Sequence, residues 1–149
     1  MEQLHDRPAR VVVIEDNPAD VELLRMALDS ANFAYDMIVI QDGAEALELF
    51  LNSGDGGFVP PDVAVLDLNL PKYDGIEILE AARSNPGFAG VPIAVLSSSS
   101  SPRDRSRIQM FGPITYITKP PDLDQYLRIG PIIRDFLEKH RPLTRSGAL

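Results

Sequence analysis

Short apolar runs alternate along the chain with longer stretches in which apolar residues recur at helical spacing. Val11 to Ile14, Tyr35 to Ile40, Val63 to Leu66, Pro92 to Leu96 and Ile114 to Pro120 read as strands; the most apolar of them suit a sheet covered on both faces. A helical segment follows each strand. The first starts near Pro18, with Asn17 as N-cap and the proline suited to the first turn, buries Val21, Leu24 and Leu28, and closes at Asn32. The second follows Gln41-Asp42-Gly43 and turns Ala46, Leu47 and Phe50 inward; the third runs from Gly75 to about Ser84 on Ile76, Leu79 and Ala82. Arg103 to Phe111 is a weaker helix, with Ile108 and Phe111 its main apolar positions. The last spans Asp122 to Lys139 on Leu123, Leu127, Ile133 and Leu137. Gly130-Pro131 inside it predicts a kink or a split, because an interior proline removes a helical hydrogen bond.

This alternation, with connections too long for hairpins, predicts an α/β fold: a doubly wound, five-stranded parallel sheet with helices on both faces. Right-handed crossovers favour the flavodoxin-like strand order 2-1-3-4-5. One domain over residues 10–139 is expected, between a flexible N-terminus (1–9) and a flexible polar tail (140–149). That order gathers the carboxyl ends of strands one, three, four and five, where ligands of open α/β sheets collect. Those ends carry Glu15, Asp16, Asp67, Ser97 and Lys119.

Composition narrows the chemistry. A net charge of −8 argues against a nucleic-acid surface. The local exception is SPRDRSRIQ, with Arg103, Arg105 and Arg107, which reads as a solvated helix face. The absence of cysteine excludes disulfides and thiolate sites, and His5 and His140 lie too far apart along the chain to suggest a histidine-centred site. Gly54-Asp55-Gly56-Gly57 does not join a strand to a helix and reads as a flexible loop, not a phosphate cradle. No apolar run approaches a membrane span and the N-terminus lacks a signal-peptide core, so a soluble cytoplasmic protein is expected.

Acids clustered at strand ends repel one another and need a cation. Oxygen donors suit Mg²⁺, which accepts one or two carboxylates and keeps several waters; Asp16 and Asp67 would hold it, with Glu15 acting directly or through water. Lys119 offers a compact positive charge and Ser97 a hydroxyl. In that setting an ionised aspartate can act as nucleophile toward a phosphoryl group and form an aspartyl phosphate. Asp67, at the end of its strand, is the best placed.

Over about Arg10 to Lys139 the residues resemble the receiver domains of two-component response regulators. IEDNPAD resembles the family's acidic pair and first helix start, VLDLNLPKYDG its phosphoacceptor strand and loop, AVLSSS its hydroxyl-bearing strand end, and YITKP its lysine-proline motif, in the family's order. The resemblance implies that Asp67 is the phosphoacceptor and that Glu15, Asp16, Asp67 and the Asn69 backbone carbonyl are the metal ligands. It also makes Ser97 and Lys119 the phosphoryl contacts and Tyr116 the aromatic switch residue. It implies a sensor histidine kinase as phosphoryl donor and a downstream protein partner or phosphotransfer protein as recipient. The EDNPAD opening and the LDLNLPKYDG run look most like the small stand-alone receivers paired with phytochrome-type histidine kinases. Two features depart from the family's pattern. Gly112-Pro113 replaces the usual Gly-Ala and, with the serine run and Pro102, implies a shorter or looser fourth helix; Gly130-Pro131 interrupts the last one. Both fall on the switching face of helix four, strand five and helix five, the face expected to bind a partner or support a homodimer.

Phosphorylation of Asp67 is expected to draw the Ser97 hydroxyl toward the phosphate and open space for Tyr116 to turn inward. Such a domain stores a signal and is not a turnover enzyme. One rival is a pseudo-receiver that binds its partner without phosphorylation, against which the intact Asp67, Asp16 and Lys119 argue. The other is a phosphohydrolase with an aspartate nucleophile, but Asn69 stands two residues on, where such enzymes commonly carry a second acid.

Overall fold

The computed structural model describes residues 7–52, 60–70, 74–98 and 101–141. The Gly54-Asp55-Gly56-Gly57 loop, Pro71 to Tyr73, Ser99-Ser100 and most of both terminal segments lie outside the described residues. Strands β1 (Ala9–Ile14), β2 (Tyr35–Ile40), β3 (Val63–Asp67), β4 (Ile93–Ser97) and β5 (Ile114–Thr118) form one parallel sheet in the order β2-β1-β3-β4-β5, as the alternation predicts. Successive side chains of the central strands point to opposite faces. Val11, Val13, Val63 and Val65 join a core with helix α1 (Pro18–Ser30), the short α5 (Leu123–Leu127) and α6 (Ile129–His140). Val12, Ile14, Ala64 and Leu66 join the opposite core with α2 (Gly43–Asn52), α3 (Gly75–Ser84) and α4 (Pro102–Gln109). The uninterrupted apolar runs of β1, β3 and β4 therefore reflect burial on both faces.

Asn17 caps α1 by accepting the Ala19 N–H at 2.9 Å, and Asp74 caps α3 through Ile76 N–H at 3.0 Å. Helix α1 stops at Ser30, before Asn32, which takes φ 59. On α3 the buried stripe runs through Ile78, Leu79 and Ala82, and Ile76 is only partly covered. Helix α4 starts at Pro102 and ends at Gln109, so it is shorter than the expected Arg103 to Phe111, and Ile108 is its one buried residue. β1 begins at Ala9 and α6 ends at His140, one residue outside each expected domain limit.

The last helix is split, but at Arg128 and not at Gly130-Pro131, and Leu123 is exposed where the helical stripe predicts burial. Pro131 falls in the first turn of α6, where a backbone N–H has no intrahelical acceptor, so its missing donor costs little. Gly130 serves packing: a methyl group there would overlap the Ala27 carbonyl of α1. The dipeptide thus permits a close helix crossing.

At the amino-terminal edge of the sheet, Asp62 draws in three segments. Arg7 donates through Nη1 to Asp62 Oδ2 at 2.7 Å and through Nη2 to Oδ1 at 3.1 Å, and the Arg10 N–H donates to Oδ2 at 2.7 Å. Arg141, buried just beyond α6, donates to the Arg7 carbonyl at 2.6 Å and brings Nε to 3.9 Å from Asp62 Oδ1. Burial alone would raise the Asp62 pKa, but these donors and the arginine charges outweigh it and lower the pKa.

Arg83 anchors the end of α3. It donates to the carbonyls of Phe88 (2.9 Å), Val91 (2.8 Å) and Pro113 (3.3 Å), and to that of Phe111. Between the last two, Gly112 takes φ +92, a conformation that a side chain would strain.

Candidate functional site

β3 delivers Asp67 at its last residue, with the strand body buried at every position. Register places Asp67 beside Leu96 and puts Ser97 one residue further along β4, opposite Thr118 of β5. Lys119 leaves β5 with its N–H bonded to the Ser97 carbonyl at 2.8 Å. Parallel pairing thus brings residues distant in sequence to one edge.

The Asp67 side chain is 3% exposed as part of its residue and is held at both oxygens. Oδ1 accepts the Asn69 N–H at 2.8 Å, and Oδ2 accepts from Lys119 Nζ at 3.0 Å. Glu15 and Asp16 follow β1, the first buried and the second exposed, and their carboxylate oxygens lie within 4.8 Å of each other and of Asp67. Burial, a side-chain hydrogen bond with Asp67 and the Asp67 charge push the Glu15 carboxyl up to about 8, against a smaller opposing effect of the Asn17 N–H, 3.2 Å from Glu15 Oε2. Burial works to lower the Lys119 pKa, but its bond to Asp67 and the charges of Asp67, Glu15 and Asp20 leave it raised. One ammonium therefore faces a surplus of negative charge.

That surplus fits a divalent cation. Three carboxylates converge, and the ionised form of one of them, Glu15, is disfavoured by its burial and by Asp67 beside it. Hard oxygen donors of this kind select magnesium- or manganese-like ions over thiophilic ones.

The structure brings together Glu15, Asp16, Asp67 and Lys119, with Ser97 adjoining them and Asn69 touching the cluster through its N–H. The Asn69 side chain turns to β4, accepting the Ser98 N–H at 3.3 Å. Tyr116 lies away from the carboxylates. Its ring is already buried in the core on the α4 side, with the Arg105 guanidinium carbon 4.8 Å from the ring centroid, so the expected inward turn has no outward starting point here. Asp20 is a site neighbour that sequence reading missed: its Oδ2 lies 3.7 Å from Lys119 Nζ. Its signal was faint, an acid in the first turn of α1 placed one turn after Asp16.

Residues 11–129 match the response regulator receiver domain family. The chain is 29% identical over 130 residues to response regulator Rcp1 of Synechocystis sp., covering 87% of this chain and 88% of that protein. The structure of the phosphorylated cyanobacterial phytochrome response regulator RcpA aligns with a TM-score of 0.75 at 30% identity, covering 93% of this chain and all (100%) of that one. A Mn²⁺-bound form of Rcp1 aligns with a TM-score of 0.74 at 28% identity over the same shares, 93% and 100%. No helix among the described residues is long and apolar enough to cross a membrane. With its sheet order, its convergent acids and the family match over most of its length, the chain belongs to the response regulator receiver domain family of two-component systems.

Proposed function

We propose that Asp67 accepts a phosphoryl group from a sensor histidine kinase, of the phytochrome type, and that the protein passes the resulting conformational change to a protein partner. The observation that carries this reading is the Asp67 carboxylate itself. It is buried at a strand end, hydrogen-bonded by Lys119 at 3.0 Å and by the Asn69 N–H at 2.8 Å, and flanked by Glu15 and Asp16. A buried carboxylate with one cation and two neighbouring acids is poorly neutralised. It is suited to gaining a group, not to bracing the fold.

In the transfer, an Asp67 carboxylate oxygen forms a bond to phosphorus while the phosphorus–nitrogen bond to the donor histidine breaks, leaving the electron pair on the imidazole nitrogen. Lys119 stays beside the acceptor and compensates charge on the phosphoryl oxygens, and Ser97 supplies a hydroxyl to one of them. Glu15, Asp16, Asp67 and the Asn69 carbonyl would hold Mg²⁺. That ion would offset the negative charge of donor and acceptor as they meet. Loss of the phosphoryl group to water resets Asp67, so the site acts as a self-resetting store in the cytoplasm.

Beryllofluoride with Mg²⁺, which mimics the phosphoryl group, tests the acceptor directly. Amide shifts around Asp67, Ser97 and Lys119 are expected in the wild type and not in Asp67→Asn. Radiolabelled ATP with candidate kinases tests the donor, and label persisting in Asp67→Asn would overturn the assignment.

A further inference from the structure

Asp20 lies in the first turn of α1, the helix that Asn17 caps. In a capping box the acid of the first turn reaches back to the N-cap N–H. Here that donor is already engaged, because the Asn17 N–H donates to Glu15 Oε2 at 3.2 Å. Asp20 turns elsewhere. Its Oδ2 lies 3.7 Å from Lys119 Nζ, the ammonium that also meets Asp67 Oδ2 at 3.0 Å. The three side chains are graded from the core outward: Asp67 is 4% exposed, Lys119 18% and Asp20 31%. Lys119 is thus held from the inside by one carboxylate and from the solvent side by another.

The charge of Asp20 also reaches the interior. The Tyr126 phenol, buried where α5 packs on α1, is pushed up first by its burial and then by the charges of Asp20, Glu15 and Asp67. Asp20 therefore belongs electrically to the site, although it stands apart from the three acids that converge as metal ligands. An acid in a first turn also suits the helix dipole, but a side chain pointing to solvent serves that purpose equally well and does not require the approach to Lys119.

We propose that Asp20 is a positioning residue that competes with the phosphoryl group for Lys119 and thereby weakens the hold of the site on that group. This rests on the phosphoacceptor reading of Asp67. A phosphoryl group on Asp67 adds oxygens beyond the carboxylate, and they need the ammonium that Asp67 now engages. Those oxygens bring negative charge to one side of Lys119 while Asp20 stands on the other. The ammonium has donors for both but a single compact charge. In a half-buried setting the repulsion between the two anionic groups is screened less than in water. Neutralising Asp20 would leave Lys119 wholly to the phosphoryl oxygens.

Beryllofluoride affinity, followed by amide shifts around Asp67 in the full chain at saturating Mg²⁺, tests the competition. Asp20→Asn should bind beryllofluoride at least threefold more tightly than wild type, and Asp20→Glu, which keeps the charge, should stay within twofold of it. Glu80→Gln removes a charge from an exposed position on α3 and should leave the affinity unchanged, which controls for net charge. The Lys119 Nζ resonance, recorded without metal or beryllofluoride, should shift in Asp20→Asn and not in Glu80→Gln; a role confined to the helix dipole would not move it. Thermal melts establish that the variants are folded. Equal or weaker beryllofluoride binding by Asp20→Asn, or an equal gain in Asp20→Glu or Glu80→Gln, would overturn the proposal, as would an unmoved Lys119 resonance. Failure of the wild type itself to bind beryllofluoride would count instead against the phosphoacceptor reading.

Discussion

Asp62 and Asp67 lie at the two ends of one buried strand and have opposite surroundings. Asp62 sits among Arg7, Arg141 and the Arg10 N–H, and its pKa is lowered. Asp67 pairs with a single lysine that Asp20 also approaches, beside Glu15 and Asp16, and Glu15 is pushed up to about 8 by its burial and by the neighbouring Asp67. A carboxylate supplied with cations braces the fold. One placed among other carboxylates leaves a charge deficit that a metal ion and an incoming group can fill. The contrast separates a charge-satisfied edge of the sheet from one where negative charge is in surplus.

Exchanging the two aspartates' roles is the strongest way to break this contrast. Asp67→Asn should abolish phosphoryl incorporation while keeping the fold, and Asp62→Ala should keep incorporation at temperatures where it remains folded; acid-quenched label counting checks both. In urea melts Asp62→Ala should lose about 3 kcal/mol, as for removal of one partner from a buried ion pair. Because the Asp62 pKa is lowered on folding, its contribution is present above the ordinary carboxylate pKa and fades as pH falls through the folded value. Wild type and variant should therefore converge in acid.

Glu15 carries the opposite sign. Its folded pKa is raised, so the folded state is least penalised below the ordinary value of 4.5 and loses stability as pH climbs toward about 8. Glu15→Gln should stabilise the metal-free protein above pH 8 by about 2 kcal/mol, less than the full shift would imply at roughly 1.4 kcal/mol per unit. Melts across pH, with and without Mn²⁺, check this: the metal should raise the wild-type Tm more than that of the variant. The smallest change is expected from Arg7→Ala, whose side chain is 39% exposed and whose partner keeps the Arg10 N–H. A loss of about 0.5–1 kcal/mol in urea melts, with unaltered phosphoryl incorporation, would match a half-exposed ion pair.

Local rules account for most of what could be read in advance. Apolar runs identified all five strands, and capping chemistry located Asn17 and Asp74 at their helix starts. The strand ends named the acids, the hydroxyl and the lysine because parallel order alone brings those ends together. Asp20 escaped because its nearness to Lys119 depends on how α1 lies across the sheet. Arg83 escaped because its partners are backbone carbonyls, which no side-chain pattern announces.

The amino-acid sequence by itself determined the sheet and its strand order and named the residues that meet at its carboxyl edge, since periodicity, caps and crossover handedness act over short stretches of chain. Only the tertiary structure decided which acid is matched by cations and which stands among other acids, because that depends on the groups each meets. It also decided the meaning of Gly130-Pro131. Viewed along the chain, the pair breaks a helix; in the folded protein Gly130 lets α6 pass against the Ala27 carbonyl, and Pro131 occupies a first turn that has no use for its missing N–H.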